Sequence, residues 1–304
     1  MTIVKIRVGY GLGVRTALND TGFLQVVDAL ERLRFDSLWL SERISGEAPD
    51  PLVAMSFAAA RTKKLKFGMS VMVLPGRNPV VLAKELATLD RMSDGRLLPA
   101  FGLGVADPVE QQAFGVERQL RARMFNEALA VIRSCWSEES VTFHGEHYRY
   151  DDLRVEPKPK QQPPEVWLGG IAPSELKRVG RLADGWLPSF VTPDDASAGW
   201  QVVNETAAEH GRSIDPEHFG VLIPYSTGPA PERVLKGLRA RRPDLEDISQ
   251  IVPQSWQELT DTIGRFTQVG ASKFVVIPLV EPGSPAEWVA HLEDAATVVQ
   301  PLQT

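Results

Sequence analysis

Short apolar runs bounded by turn residues alternate along this chain with segments whose apolar positions recur at helical spacing. Residues 3–10 read as a strand. The next segment places Phe23, Val26, Val27, Leu30 and Leu33 on one face, the i, i+3, i+4, i+7 stripe of an amphipathic helix. Strand-like runs follow at 36–40, 65–74 and 97–103, separated by helical patterns at 51–61 and 79–92. Further strands are predicted at 166–168, 185–188, 220–224 and 274–278. Helix starts are marked by Asp50-Pro51, Asn78-Pro79, Thr192-Pro193 and Ser284-Pro285. In each pair a capping side chain precedes a proline, whose missing N–H is no loss at the first helical position. Ser255 with Glu258, and Ser284 with Glu287, have the capping-box spacing.

Strands that alternate with capped helices imply parallel β-α-β units. About eight units can be counted, more than an open doubly wound sheet uses, which predicts a closed (β/α)8 TIM barrel. Two stretches exceed a minimal barrel: 105–162 after the fourth strand, with a helix at 119–136, and 226–253 after the seventh. Both are read as insertions at the C-terminal face, where barrel enzymes build substrate pockets. No linker signature divides the chain, so residues 1–304 are expected to form a single domain. Pro99 interrupts the fourth strand run, and a bulge is expected there because proline cannot donate to the ladder.

Composition narrows the classes of function. Hydrophobic residues make up 43% and charged residues 24%, ordinary values for a soluble globule. The net charge of -6, with no basic block, argues against nucleic acid or an anionic membrane as partner. The N-terminal residues lack the apolar core of a signal peptide, and no run of about 18 apolar residues occurs. The single cysteine, Cys135, has no internal disulfide partner, which fits a reducing, cytoplasmic location. It falls on the helical pattern Phe125, Leu129, Ile132, Trp136 and reads as an inert buried thiol.

Several segments, in order, carry a resemblance. They are Phe35 through Glu42, Gly68-Met69-Ser70-Val71, Arg77-Asn78-Pro79, and Leu89 through Arg96 in Leu-Asp-Arg-Met-Ser-Asp-Gly-Arg. Gly102-Leu103-Gly104, Ala113-Phe114-Gly115, Trp167-Leu168-Gly169-Gly170 and Ala183-Asp184-Gly185-Trp186 follow. No one of these is specific alone, but their order and spacing are. The sequence resembles the bacterial luciferase-like superfamily, and within it the oxidoreductases that use the deazaflavin coenzyme F420. The likeness covers about residues 3–190 and the last strand-helix unit, and is weak at 226–253.

The resemblance implies a non-prolyl cis peptide at Ser70-Val71 that supports a flavin-type ring, with Gly102 and Gly104 letting the chain pass beside it. Gly169-Gly170, followed by Ile171 and a helix opening at Pro173, suits a cofactor phosphate, because glycines allow close approach and a helix start offers free N–H groups; a plain tight turn also favours glycine. Relatives usually carry an acid and then a histidine just past the second strand. Here Glu42 precedes Arg43, and a guanidinium does not donate its proton near neutral pH. Arg43 is then a candidate to hold anionic groups or ring carbonyls, or one half of a surface pair with Glu42. Asp107 stands where relatives can carry a catalytic carboxylate, and Asp107-Pro108-Val109-Glu110 is also a helix-start signature. His144 and His147 lack an evident third metal ligand and read as hairpin residues. Arg239, Arg241 and Arg242 form either a solvated helix face or a contact for an acidic cofactor tail.

What the resemblance implies is hydride transfer between a bound deazaflavin, coenzyme F420, and a small organic substrate. Flavin mononucleotide (FMN) with monooxygenase chemistry is the alternative, as is deazaflavin binding without catalysis. A homodimer is expected, because relatives commonly dimerise.

Overall fold

The computed structural model describes residues 5–304. Ile3 and Val4, which open the first predicted strand, lie outside the described residues, and the observed strand is β1 (Arg7–Leu12). Helix α1 (Asp20–Arg32) follows, with the Asn19 side chain accepting from the Gly22 N–H. It buries Phe23, Val26, Val27 and Leu30, each worth roughly 1.5–3 kcal/mol when fully removed from water. Alternation continues through β2 (Ser37–Leu40), α2 (Pro51–Arg61), β3 (Lys66–Met69), β4 (Met72–Val73), α3 (Pro79–Met92), β5 (Leu97–Leu98) and β6 (Ala100–Gly102). The stretch 105–162 holds α4 (Pro108–Phe114), α5 (Arg121–Ser137) and an antiparallel hairpin of β7 (Val141–His144) with β8 (Arg149–Leu153). Then come β9 (Trp167–Leu168), α6 (Pro173–Leu182), β10 (Gly185–Trp186), α7 (Pro193–Glu209), β11 (Gly220–Tyr225), α8 (Glu232–Arg241), α9 (Trp256–Gln268), β12 (Lys273–Pro278) and α10 (Pro285–Val299).

The fold is α/β, with parallel pairing throughout outside the hairpin. One sheet has the order β11-β12-β1-β2-β3-β5 and another β10-β9-β6-β4. Isolated parallel bridges, Trp186 with Phe219 and Ser189 with Leu222, join the β10 side to β11. Two runs predicted as single strands are each split. The run 65–74 divides where the Ser70-Val71 peptide is cis, so β3 pairs with β5 and β4 with β6. The run 97–103 breaks at Pro99 rather than bulging. Proline has no N–H to give, but its carbonyl still accepts from Trp167 N at 2.8 Å.

Side-chain alternation along the strands makes two cores. Val8, Tyr10 and Leu12 face the helices in the large apolar cluster. On the opposite face, Trp39, Leu98, Ala100, Trp167, Leu187 and Val275 form a second cluster. Glycines make room for its indole: a Cβ on Gly9 would lie 2.9 Å from Trp39 Nε1, and one on Gly68 2.4 Å from Trp39 Cε3. Beside that cluster the buried Lys273 Nζ reaches Asp36 Oδ2 at 2.5 Å and lies 5.7 Å from the Trp39 ring centre.

Capping follows the sequence signals with one difference. Asp50, Asn78, Thr192 and Ser284 each accept from an N–H of the helix they open. The Glu258 and Glu287 carboxylates do not close a box on Ser255 and Ser284. They accept instead from the residue before each cap, Gln254 N and Gly283 N, both at 2.8 Å. The reciprocal box forms at Thr192 and Asp195, which the spacing of Glu or Gln had not marked. Cys135 is 1% exposed, and burial pushes its thiol pKa up to about 11. Among the described residues no helix is long and apolar enough to cross a membrane.

Candidate active-site cavity

The carboxyl ends of parallel strands point their following loops to one side, and there they enclose a cavity of about 480 Å3. Its lining includes Ser70, Val71, Gly102, Gly104, Gly169 and Gly170. Gly102 is required by closeness: a Cβ there would fall 2.4 Å from Val71 Cγ2, so its absence lets the valine side chain form part of the wall. Ser41 and Ser70 hydroxyls lie 3.2 Å apart in the same wall. Gly104 has φ +79° and abuts Val73, whose Cγ1 would stand 3.1 Å from a Cβ at that position.

Glu42 and Arg43 both line the cavity but do not pair with each other. Glu42 is held by Arg77 and accepts from Val73 N at 2.7 Å. Burial raises its pKa, opposed by those two partners. Arg43 Nη2 meets Asp107 Oδ2 at 3.1 Å, and its Nε lies 3.5 Å from Glu110 Oε1. Asp107 also caps α4 through Val109 N at 2.9 Å, so cap and ion pair coexist on one carboxylate. It stands behind Arg43 and is not part of the lining. Glu110 is 5% exposed and accepts from Ile44 N at 3.0 Å and Ser45 N at 2.9 Å. Burial works to raise its pKa, but Ser45, Ile44 and Arg43 outweigh burial and leave it below the usual carboxylate value.

At another end of the cavity Gly170 adopts φ +99°, a conformation glycine accepts freely. The two amides beyond it already have a partner: Glu175 Oε2 accepts from Ile171 N and Ala172 N, both at 3.0 Å. Ile171 itself is 42% exposed and lies outside the lining. Two arginines also line the cavity. Arg121 Nη1 donates to the carbonyls of Leu103, Gly104 and Val105 at 3.1 Å each. Arg178 is half-buried over the Phe125 ring, and its Nε has no partner among the described residues.

The arginine run of α8 divides three ways. Arg239 pairs with Glu232 on the surface, and Arg242 is buried against Phe190 O, Asp195 and Asp244. Arg241 lines the cavity with its guanidinium 5.0 Å from the Phe190 ring. His144 is exposed on the hairpin beside Asp151. Glu127, Glu146 and His147 come within 4.8 Å of one another, but the Glu127 carboxylate is taken by three backbone N–H groups, of Glu146, His147 and Tyr148.

Sequence reasoning missed Arg121, Arg178, Glu110 and Glu281, all of which line the cavity. Arg121 and Arg178 carry no local signal, since each is one polar position on a helix. Glu281 had one, an acid just beyond the last strand, on the face where barrels keep their sites.

The luciferase-like monooxygenase family model matches residues 9–276, and the chain belongs to that family of oxidoreductases. Among curated proteins, it is 34% identical over 167 residues to an F420-dependent glucose-6-phosphate dehydrogenase of Kineococcus radiotolerans, a match covering 52% of this chain and 49% of that one. The chain spans about half the length of this curated relative. Among solved structures, an F420-dependent secondary alcohol dehydrogenase in complex with an F420-acetone adduct superposes with a TM-score of 0.80 at 22% identity, covering 99% of this chain and 100% of that one. The oxygenating constituent of 3,6-diketocamphane monooxygenase of Pseudomonas putida, in complex with FMN, gives 0.79 at 18% identity, covering 99% of each chain. These likenesses give this chain the fold of the luciferase-like TIM barrels.

Proposed function

We propose that the protein transfers hydride between a bound deazaflavin, coenzyme F420, and a small organic substrate. The observation that carries this reading is the make-up of the cavity. An apolar wall at Val71, Leu168 and Leu187 shares the cavity with the cations Arg121 and Arg178, and the Arg178 Nε has no partner among the described residues. A flat ring with an anionic tail matches both parts, and the volume lies within the usual range for such ligands. When bound, such a group carries hydride. The chain's own residues then have separate tasks. Ser70, Val71, Gly102 and Gly104 bound the ring's space, while Gly169, Gly170, Arg121 and Arg178 hold the tail. Arg43 sets the local field, with Asp107 and Glu110 fixing the direction of its fork.

The architecture is read as a closed eight-position barrel, with β3/β4 and β5/β6 each counted as one position and the bridges to β11 closing the ring. The stretches 105–162 and 226–253 are insertions in this reading. They supply Glu110, Phe114, Arg121 and Arg241 to the cavity and thereby its selectivity. FMN with monooxygenase chemistry is the second reading, favoured by the likeness to the FMN complex. A homodimer is proposed through exposed Val53 and Phe57 on α2 and Val81 on the neighbouring α3; Phe57→Asp would then yield monomer in sedimentation.

Titration of the purified protein separately with F420 and with FMN tests the assignment. Binding of F420 at micromolar concentration or below, with FMN weaker, is expected. The reverse order moves the protein to the second reading, and no binding of either overturns both.

A further inference from the structure

Hydride transfer to a carbonyl carbon leaves a proton to be placed on the adjoining oxygen, so the cavity needs a group that can supply one. Four glutamates line it: Glu42, Glu110, Glu175 and Glu281. Two are bonded at both oxygens, Glu42 by Arg77 and Val73 N, and Glu110 by Ile44, Ser45 and Arg43. Glu175 is committed to the start of α6, where its Oε2 accepts from the amides of Ile171 and Ala172 at the place proposed for the cofactor tail. Glu281 differs. Its Oε1 accepts from Thr16 Oγ1 at 2.8 Å, and no hydrogen-bond donor among the described residues reaches Oε2. One oxygen anchors the side chain and the other is free to face a ligand.

The surroundings support this division. Gly13 clears the approach: a Cβ there would stand 3.1 Å from Glu281 Oε1. Arg15 and Glu281 also line a second, smaller cavity together with Asn19, Ser284 and Trp288. Glu281 thus stands in the wall between the main cavity and a more polar space, through which water can return a proton. The charged and titratable groups facing it are Arg15 from the loop after β1, Glu47 from the loop after β2 and Tyr10 on β1. Burial raises the Glu281 pKa and Glu47 adds to the rise, while Thr16 and Arg15 oppose it.

We propose that Glu281 is the proton-transferring carboxylate of this cavity, serving carbonyl or quinone acceptors, an inference that rests on the hydride-transfer reading above. Hydride passes from the reduced carrier to the acceptor, which gains an electron pair and one hydrogen. The Glu281 O–H bond breaks and a new O–H bond forms on the acceptor oxygen. The carrier is left oxidised, the acceptor is reduced by two electrons, and the Glu281 carboxylate takes its next proton from water.

Two measurements test the proposal. Carbon-13 titration of carboxyl-labelled glutamates in the cofactor-free protein, with the Glu281 resonance assigned by its loss in Glu281→Gln, should give a midpoint above the ordinary value of 4.5. Stopped-flow reoxidation of the reduced F420-loaded protein by menadione should slow by roughly 100-fold or more in Glu281→Gln, with loss of the wild-type pH limb. Glu281→Asp should keep a limb at reduced rate, and titration should show that all three proteins bind F420 within about twofold of one another. A midpoint at or below 4.5, or a Glu281→Gln variant with wild-type rate and pH profile, overturns the proposal while leaving the cofactor assignment standing. A wild-type protein that binds F420 but shows no reoxidation by menadione overturns the acceptor class. One that does not bind F420 overturns the hydride reading itself and this reaction with it.

Discussion

Glu175 occupies the two amides that an anion at the start of α6 would use, and this makes Glu175→Ala the most informative single change. Its Oε2 lies 3.0 Å from both Ile171 N and Ala172 N. A cofactor phosphate seated at these donors has to displace the carboxylate, and until then it meets a like charge. Two such charges about 5 Å apart repel by roughly 1–3 kcal/mol at effective dielectrics between 80 and 20. The substitution removes that repulsion, frees two donors and relieves Arg178 of an acidic neighbour. Against this stands the loss of the carboxylate's bonds at the helix start, roughly 0.5–2 kcal/mol of stability, which lowers the melting temperature by a few degrees. A net gain of about 1.4 kcal/mol in binding corresponds to a tenfold lower Kd. The assay is fluorescence titration with F420 and FMN, with riboflavin, which lacks the phosphate, as control. Tenfold tighter binding of the phosphate-bearing cofactor, with riboflavin unchanged, is expected. If phosphate-bearing cofactors bind no tighter than to wild type, the Gly169-Gly170 turn does not hold the anion.

Three further outcomes are expected. Arg43→Ala should slow cofactor reoxidation by roughly 100-fold through loss of a fixed cation, Arg43→Lys should recover part of it, and Arg43→His should introduce a pH dependence near 6.5; stopped-flow rates equal to wild type in Arg43→Ala would show that its charge plays no part. Asp36→Ala leaves the buried Lys273 ammonium without its carboxylate and should cost roughly 3–5 kcal/mol in calorimetric unfolding. Burial alone would favour the neutral acid at Asp36, but Lys273 and Lys66 hold its pKa far below the usual 3.8; its stabilisation is therefore present above about pH 4 and lost as the pH falls toward the depressed folded value, a loss absent from Asp36→Ala. Cys135, buried and with its thiol at about 11, should resist iodoacetamide at pH 7 until the protein unfolds; labelling of the native protein at the rate of a free thiol would contradict that burial.

Local chemistry made much of the scaffold legible from the sequence. Capping side chains before prolines marked the starts of α2, α3, α7 and α10, because a cap and its proline act within one turn. The stripe at Phe23, Val26, Val27 and Leu30 is buried as its spacing requires. Glycines at 102, 104, 169 and 170 were visible as points where backbone comes close to something, and all four line the cavity. What the sequence left open were partners that meet only after folding. Glu42 and Arg43, adjacent in the chain, turn to different neighbours, Arg77 and the pair Asp107 and Glu110. The run of apolar residues at 65–74 does not reveal that it divides at Ser70-Val71 and serves two sheets. Arg121, Arg178 and Glu281 lie on separate elements far apart in sequence and share one cavity. Spacing along the chain determines caps, stripes and strand ends because these forces act over a few residues. Ion pairs, orphaned donors and a free carboxylate oxygen depend on which distant groups the tertiary arrangement brings within about 3 Å, and only the folded structure decides that.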